Sequence, residues 1–407
     1  MNRTITNCRK DFPALKRQYS GRNIVFLDGP AGTQVPTPVI DAISDYYKSS
    51  NANTHGQFVT TEETDAMMSG VRSKVADFLG AADGYTISFG QNMTTLCYSL
   101  SRAIGRVLKA GDQVIITQLD HEANRGPWLS LKEWGIDVVE VEMLPEGVLN
   151  YDDFRSKINE RTKLVAVGGA SNLTGTVNDI SLIRKLTNEV GAWLLVDAVH
   201  LAPHVPIDIV EMDCDFLLCS AYKFYGPHVG LLYSRTGLLD TLQTDRLTTQ
   251  DQKAPYLIET GTLNHAAIAG VGAAIDCIES FGEGNSNRDR VVDAMTKIRD
   301  YEHGLGKELY EGLNRIPGVG IKGLSFEKMN RTPTISFFTP KLTAEEICKK
   351  LGKKGICAWD GDFYARRGVE IMGLLDKGGV TRLGISVYNT MEEVNYTSGT
   401  IDQMLAN

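Results

Sequence analysis

Short apolar runs alternate with amphipathic stretches between about residues 65 and 235. Runs rich in β-branched residues predict buried strands, and the amphipathic stretches between them predict helices. The predicted strands are 112–119, 162–170, 192–199, 215–221 and 229–234. A helix is predicted at 180–191, where Gly191 suits a left-handed C-cap. This alternation is typical of a mainly parallel sheet that is flanked by helices.

The pattern changes after residue 280, where the polar segment GEGNSNRDR leads into a long helical pattern at about 288–314. Further strands are predicted in TPTISFFT and GVTRLGISVYN, and further helices in TAEEICKKLGKKG and after TMEEVN. A chain of 407 residues also exceeds the usual size of one core. We therefore predict a large α/β domain at 22–280 and a smaller α+β domain that consists of 281–407 together with the N-terminal segment 1–21.

Composition narrows the possible partners. The formal net charge is −8, and no Lys/Arg run is interleaved with aromatic residues, which argues against nucleic acid and anionic membranes. No apolar run approaches the roughly 18 residues of a membrane span, and the first residues lack the apolar core of a secretory signal. Seven scattered cysteines without a CxxC pair indicate neither a disulfide framework nor a metal site. We expect a cytoplasmic protein that binds small molecules.

Two ionisable residues follow predicted strands, at the edge where sheets of this kind bind ligands. Asp197 is the only acid in AWLLVDAVHLAP, so a cation or several donors should offset its burial. Lys223 in AYKFYG follows the next strand, where partial burial would lower its pKa and make its amine nucleophilic toward a carbonyl. Pyridoxal phosphate requires both groups, a lysine for its aldehyde and an acid for its ring nitrogen.

Two further strand ends fit the same cofactor. In SFGQNMTTL (88–96), a glycine and two threonines lead into a helical pattern whose first N–H groups can bind a phosphate. His121 in QLDHEAN can stack on a flat ring or move a proton. Taken singly, each feature has an ordinary explanation, as a turn, a cap, a solvated lysine or a structural histidine. Their convergence on one edge of a sheet favours a binding site.

With these residues identified, the chain resembles the class V aminotransferase group of fold-type I pyridoxal phosphate enzymes. Within that group it is similar to the cysteine desulfurase and selenocysteine lyase branch. The resemblance extends from FLDGPAGTQVPTPVIDAI (26–43) to TRLGISVYNTMEEV (381–394). It implies a PLP-dependent transferase fold of type I, pyridoxal 5′-phosphate as the cofactor, an α-amino acid as the substrate, and a homodimer with shared active sites.

The resemblance also implies roles around the cofactor ring. Lys223 would bind the cofactor as a Schiff base and carry the substrate proton, and Asp197 would pair with the ring nitrogen. His121 would stack on the ring. Asn172 and His200 would approach the phenolic oxygen, and His200 stands where the desulfurases usually carry glutamine.

The phosphate and the substrate carboxylate have implied partners as well. Arg382 would bind the α-carboxylate, for which a guanidinium fork is well suited. Thr262 in ETGTLNHAAIAG would reach the phosphate from the second subunit. Within one chain, the implied phosphate-binding residues are Asn92, Met93, Thr94, Ser220 and Tyr222.

Two departures from the family bear on the reaction. The desulfurases carry a nucleophilic cysteine on a small-domain loop, but the corresponding stretch here is GDFYARR (361–367), with Tyr364 at the cysteine's place. A phenol cannot accept sulfur to form a persulfide. Cys357 lies in a predicted strand and is interpreted mainly as a packed thiol. In NTHGQF (53–58), His55 replaces an arginine, so the substrate side chain should differ too.

Three functions follow from these expectations. The favoured one is a C–S lyase that expels the β-substituent of an amino acid directly, without an enzyme persulfide. The first alternative is an epimerase or aminotransferase of the same cofactor class, in which Tyr364 or a histidine delivers a proton to the opposite face. The second is a non-catalytic cofactor-binding partner in sulfur trafficking.

Overall fold

The computed structural model describes residues 4–327 and 330–406. The largest sheet in these residues has seven strands. Across the sheet they lie in the order Ile87–Gly90, Gly230–Ser234, Phe216–Ser220, Trp193–Asp197, Thr162–Gly168, Gln113–Thr117 and Asp137–Val141. Gly230–Ser234 is antiparallel to both of its neighbours, and the other pairs are parallel. The predicted sheet is therefore confirmed as mainly parallel.

All five predicted strands are present, with ends within two residues of the expected ones. The predicted helix is Ile180–Val190, and Gly191 follows it in the left-handed region with φ 68°. Sequence reasoning did not assign the edge strand Asp137–Val141. Its DVVEV sequence mixes charged and apolar residues because its outer side is solvated, so it lacks the continuous apolar run of a central strand.

Helices cover both faces of this sheet. Alternate residues of each strand point to opposite faces, so Val196 and Leu217 enter one core, while Leu195 and Leu218 enter the other. The helices of this part of the chain are Thr37–Ser49, Val59–Leu79, Met93–Gly105, Gly126–Leu129, Tyr151–Lys157, Ile180–Val190, Ile209–Met212 and His265–Glu279. Short hairpins pair Gln18–Tyr19 with Arg22–Asn23, and Met143–Leu144 with Val148–Leu149.

The C-terminal part is built on an antiparallel sheet. Its strands lie in the order Gly320–Lys322, Thr334–Phe338, Val380–Gly384 and Trp359–Gly361. Its helices are Asn287–Asn314, Ala344–Gly352, Arg366–Ile371 and Met391–Ala406. A separate parallel pair joins Ile356–Cys357 to Val25–Phe26, so residues from the N-terminal part also enter this α+β unit.

The long helix Asn287–Asn314 connects the two parts. Ile298 packs in the core of the large sheet, whereas Leu309 packs in the core of the C-terminal sheet. The division into 22–280 and 281–407 therefore stays a prediction, since one helix serves both cores. In residues 4–327 and 330–406, no helix has the length and apolarity that crossing a membrane requires.

Candidate active site

Lys223 lies just beyond the strand Phe216–Ser220, in the single 3-10 turn Ala221–Lys223. Its Nζ donates a hydrogen bond to the carbonyl oxygen of Pro30 and lies 5.0 Å from the centroid of the Tyr222 ring. Burial lowers the pKa of Lys223 to about 7, helped by the charge of Arg382 and opposed by that of Asp197. Near neutral pH a large share of this amine is uncharged, as attack on an aldehyde requires.

Asp197 ends the neighbouring strand, where it pairs in register with Leu218. The Val199 amide donates to its Oδ1 at 2.9 Å. Burial raises the pKa of Asp197 to about 6, and the charge of Lys223 opposes the rise. A cation or a protonated ring nitrogen placed at this carboxylate would hold it ionised.

A second buried carboxylate, Asp120, lies close to Asp197, and sequence reasoning missed it. Its Oδ1 accepts from the Gly168 amide at 2.8 Å, and its Oδ2 accepts from the Asn124 side chain at 3.2 Å. Burial raises the pKa of Asp120 to about 7, and the charge of Asp197 raises it further. Its position directly before His121 at a strand end was the available signal. Asp120 fixes the backbone at the ends of two strands.

His121 presents a neutral imidazole to the same edge. Its Nδ1 accepts a hydrogen bond from the Ala123 amide at 2.9 Å, which leaves Nε2 as the nitrogen able to carry a proton. Burial lowers the pKa of His121 to about 4, and the charges of Lys223 and Arg382 lower it too. An uncharged ring suits stacking on a flat cofactor.

His200 is also buried and neutral. Its Nε2 lies 3.0 Å from the Thr334 hydroxyl and 3.2 Å from the Thr332 hydroxyl. Burial lowers the pKa of His200 well below its ordinary value, with the charge of His204 as the next cause. His200 thus joins the edge of the large sheet to a strand of the C-terminal sheet.

The helix Met93–Gly105 begins at this edge with a capping box. The Asn92 side chain accepts from the Thr95 amide at 2.9 Å, and the Ser220 hydroxyl accepts from the Met93 amide at 3.0 Å. The Thr94 amide is then the first-turn donor without a partner in the described part of the chain. Gly230 is required beside this turn, because a Cβ there would collide with the Asn92 backbone. The turn offers a donor for a phosphate.

Tyr222 ties this edge to the glycine-rich segment that follows Asp28. Its carbonyl oxygen accepts from the Thr33 amide at 3.1 Å. Its ring stacks on His228 with centroids 4.7 Å apart and planes 9° apart. Burial raises the pKa of Tyr222, so its hydroxyl is protonated at neutral pH and can donate a hydrogen bond.

Arg382 and Asn172 approach the site from the C-terminal and the N-terminal parts of the chain. Arg382 Nη1 donates to the Asn172 carbonyl oxygen at 2.8 Å, and its guanidinium carbon lies 4.0 Å from the centroid of the Phe363 ring. Burial lowers the pKa of Arg382 to about 9, although the charges of Tyr222 and Asp28 oppose the change. The amide nitrogen of Asn172 donates to the Phe363 carbonyl oxygen at 2.9 Å.

The C-terminal part of the chain holds the loop that carries Asn172 by hydrogen bonds to its successive carbonyl oxygens. Each of four consecutive carbonyls accepts a hydrogen bond from a residue of the C-terminal sheet or its approach. The pairs, donor first, are Arg382 with Asn172, Ser336 with Leu173, Arg331 with Thr174, and Thr332 with Gly175. The position of Asn172 therefore depends on how the C-terminal sheet packs against this loop.

The chemistry of these groups fits pyridoxal phosphate. A partly neutral lysine, a buried acid and a neutral imidazole meet at one edge, beside a free first-turn amide. Two buried polar atoms, Asn172 Oδ1 and Arg382 Nε, have no hydrogen-bond partner in the described residues. A native fold seldom leaves buried polar atoms unpaired, so an acceptor and a donor here point to groups that arrive with a ligand.

Three predicted site residues lie at the edge of the candidate active site or outside it. Tyr364 is 71% exposed, and its ring centroid lies 5.4 Å from that of His121. His55 is exposed, with its Nδ1 3.3 Å from Asp65 Oδ1. Thr262 lies in a surface cleft of about 540 Å³ that also contains Asn53. Neither His55 nor Thr262 contacts Lys223 within the described part of this chain.

Sequence reasoning also missed two neighbours of Arg382. Asp28 acts on Arg382 by its charge, and its own pKa is raised by burial. Phe363 covers one face of the guanidinium. Asp28 could have been found as the single acid in FLDGPAG, but an aromatic residue in a loop carries no comparable signal.

The chain is similar to known proteins along nearly its whole length. Residues 25–397 match the aminotransferase class-V family. A probable cysteine desulfurase from Synechocystis sp. is 30% identical over 405 residues, covering 95% of this chain and 92% of the relative. A cysteine desulfurase from Yersinia pestis is 31% identical over 411 residues, covering 97% of each chain.

A solved structure extends the similarity to three dimensions. The apo structure of a cysteine desulfurase from Thermococcus onnurineus NA1 matches with a TM-score of 0.88 and 26% identity. The match covers 99% of this chain and 98% of that chain. The expected fold class is thereby confirmed. The chain belongs to the aminotransferase class-V family and is a pyridoxal-phosphate-dependent, cysteine-desulfurase-like enzyme.

Proposed function

We propose that this enzyme is a C–S lyase, which cleaves the bond between the β-carbon and a sulfur substituent of an α-amino acid. Pyridoxal phosphate, when bound, stabilises negative charge at the α-carbon. The substrate loses its α-proton and its β-substituent, and water then completes the conversion to a thiol, pyruvate and ammonia. The atoms balance without an oxidant or a reductant.

Three side chains carry the proposed steps. Lys223 takes the α-proton, because its lowered pKa supplies a neutral amine near pH 7. Asp197 offsets a positive ring nitrogen, and Arg382 binds the α-carboxylate. His121 stacks on the ring, where its neutral imidazole adds no competing charge.

The remaining predicted residues hold the cofactor in this proposal. Asn172 and His200 would approach the phenolic oxygen of the bound cofactor. The turn at Asn92, Met93 and Thr94, together with Ser220 and Tyr222, would bind the phosphate. The free Thr94 amide supports this assignment, since it is a first-turn donor without a partner in the described residues.

The burial of the cysteine thiols is the observation that favours direct elimination over sulfur transfer to the enzyme. Tyr364 occupies the place of the desulfurase cysteine, and Cys357 lies in a paired strand, where burial raises its pKa to about 11. Cys348 is partly buried, and burial raises its pKa to about 12. The other five cysteines are buried. Sulfur transfer requires a thiolate, so these thiols are poor acceptors.

We further propose a homodimer in which Thr262 and His55 serve the partner's site. Both are exposed, and Thr262 shares its cleft with Asn53, two residues before His55. In this arrangement Thr262 would contact the cofactor phosphate, and His55 the substrate side chain, in the site of the partner subunit. Mixing Lys223→Ala chains with Thr262→Ala chains tests it. Activity above that of either variant alone is expected, and its absence at an established dimer mass would contradict the shared site.

Product analysis in deuterated water tests the reaction itself. Cysteine, cysteine S-conjugates and cysteine sulfinate are incubated with the holoenzyme, and pyruvate, thiol and α-deuterium are followed by NMR. Pyruvate from at least one substrate is expected. Deuterium at the α-carbon with an intact side chain would instead favour an epimerase or aminotransferase, with Tyr364 as a candidate proton donor. A bound cofactor that responds to no amino acid would favour a non-catalytic partner.

A further inference from the structure

Phe363 lies against the arginine that the proposed function assigns to the substrate carboxylate. Its ring centroid is 4.0 Å from the guanidinium carbon of Arg382, which is the distance of a close stack. The contact covers one face of a planar group that recognises carboxylates through the hydrogens on its edge. The stack therefore restricts how Arg382 can turn without occupying its donor edge.

The loop that carries Phe363 adopts an uncommon backbone conformation. Phe363 and Tyr364 have φ values of 54° and 59°, in the left-handed region that residues with a Cβ seldom occupy. Two such residues in succession persist only where the surroundings hold them, and such strain concentrates at functional sites.

Hydrogen bonds from both parts of the chain hold this backbone. The Asn172 side chain donates to the Phe363 carbonyl oxygen at 2.9 Å, and the Glu122 amide donates to the Tyr364 carbonyl oxygen at 2.7 Å. The Tyr364 amide donates to Asp362 Oδ1 at 2.9 Å. Phe363 is thus tied to Asn172 through its carbonyl and to Arg382 through its ring.

The remaining freedom of Arg382 is limited. Nη1 donates to the Asn172 carbonyl oxygen, whereas Nε is buried and has no partner in the described residues. One face is covered and one nitrogen is engaged, so the edge that carries Nε is left for an incoming acceptor. A carboxylate can take two parallel hydrogen bonds from such an edge.

We propose that Phe363 is a positioning residue that holds the Nε edge of Arg382 toward the substrate's α-carboxylate. The inference rests on the proposed role of Arg382. The ring also keeps water from one face of the guanidinium, which strengthens the charge-assisted bonds at its edge. Leucine would fill part of the same volume but would present no aromatic face, whereas tyrosine would retain it.

A matched pair of ligands isolates this role. L-alanine and ethylamine differ by the carboxylate, and both are titrated into the holoenzyme while the absorbance of its cofactor is recorded. Phe363→Leu should weaken L-alanine binding about tenfold, within the range of a partly desolvated cation–π contact, and leave ethylamine binding within about twofold. Phe363→Tyr should retain the affinity for both ligands.

The control is Phe338→Leu, which changes another small-domain aromatic whose ring lies 5.5 Å from the Lys322 ammonium, and it should alter neither affinity. Equal weakening of both ligands by Phe363→Leu, or no weakening of L-alanine, would overturn the positioning role. If neither ligand changes the spectrum of the unmodified holoenzyme, the assignment of an amino-acid substrate fails as well. If only the role of Phe363 is wrong, the unmodified holoenzyme still responds to L-alanine, so the two failures can be distinguished.

Discussion

The two halves of the candidate site differ in how they are built. One half follows the carboxyl ends of parallel strands, where Lys223, Asp197 and His121 are fixed by short turns and backbone hydrogen bonds. The other half is the loop 362–365, between the strand Trp359–Gly361 and the helix Arg366–Ile371, where two consecutive left-handed residues place Phe363 on Arg382 and leave Tyr364 exposed. In our proposal the strand-end half carries the cofactor chemistry. The loop half, where the resemblance predicts Tyr364 in place of the desulfurase cysteine, decides the outcome of the reaction in our proposal.

Replacing Lys223 should have the largest effect. Lys223→Ala removes both the covalent attachment and the proposed base, so we expect activity to fall by a factor of about a thousand or more. The absorbance band of covalently bound cofactor should also disappear. Lys185 is exposed, and Lys185→Ala serves as a control that should keep both the activity and the absorbance band. A variant without Lys223 that retained the band would contradict the anchor.

Asp197→Asn should have the next largest effect. An amide cannot offset a positive ring nitrogen, so we expect a loss of about a hundredfold in kcat, whereas cofactor attachment persists. Steady-state kinetics measure the loss of kcat, and the absorbance spectrum measures cofactor attachment. Normal turnover with the asparagine variant would show that Asp197 serves only to cap the end of its strand.

The pH dependence of cofactor attachment tests the strand-end half of the site further, through Lys223. Burial lowers the pKa of Lys223 to about 7, and only the neutral amine reacts, so attachment should accelerate as pH rises. For this pKa the neutral fraction, and with it the rate, grows about tenfold from pH 6 to pH 8 and then levels off. Stopped-flow absorbance on apoenzyme measures it. A rate still rising steeply above pH 9 would indicate an ordinary lysine.

Changes to the Cys357 thiol should matter least. Cys357→Ser should leave the rate of pyruvate release within about twofold, because the Cys357 thiol is partly buried and its pKa is raised to about 11. Cys348→Ser is the matched control, because burial also raises the pKa of the Cys348 thiol. A loss of more than tenfold only at Cys357 would make that cysteine a sulfur acceptor.

Sequence reasoning located one half of the site better than the other. Lys223 and Asp197 could be predicted because charged residues directly after apolar runs are conspicuous, and the register of adjacent strands brings them together. Asn172 and His200 came only from resemblance, since their partners Phe363 and Thr334 lie more than a hundred residues away in the chain. Phe363 could not be predicted, because its role depends on a loop conformation that its residue type disfavours.

Direct elimination, without an enzyme persulfide, is the central claim. If the substituent leaves directly, the carbon product is pyruvate, whereas transfer of sulfur to an enzyme thiol leaves alanine and adds one sulfur atom to the protein. The most direct test incubates the holoenzyme with L-cysteine, without added thiol, and measures pyruvate, alanine and the mass of the intact protein. We predict pyruvate and sulfide in equal amounts and an unchanged protein mass. Alanine together with a protein heavier by one sulfur atom would contradict the account.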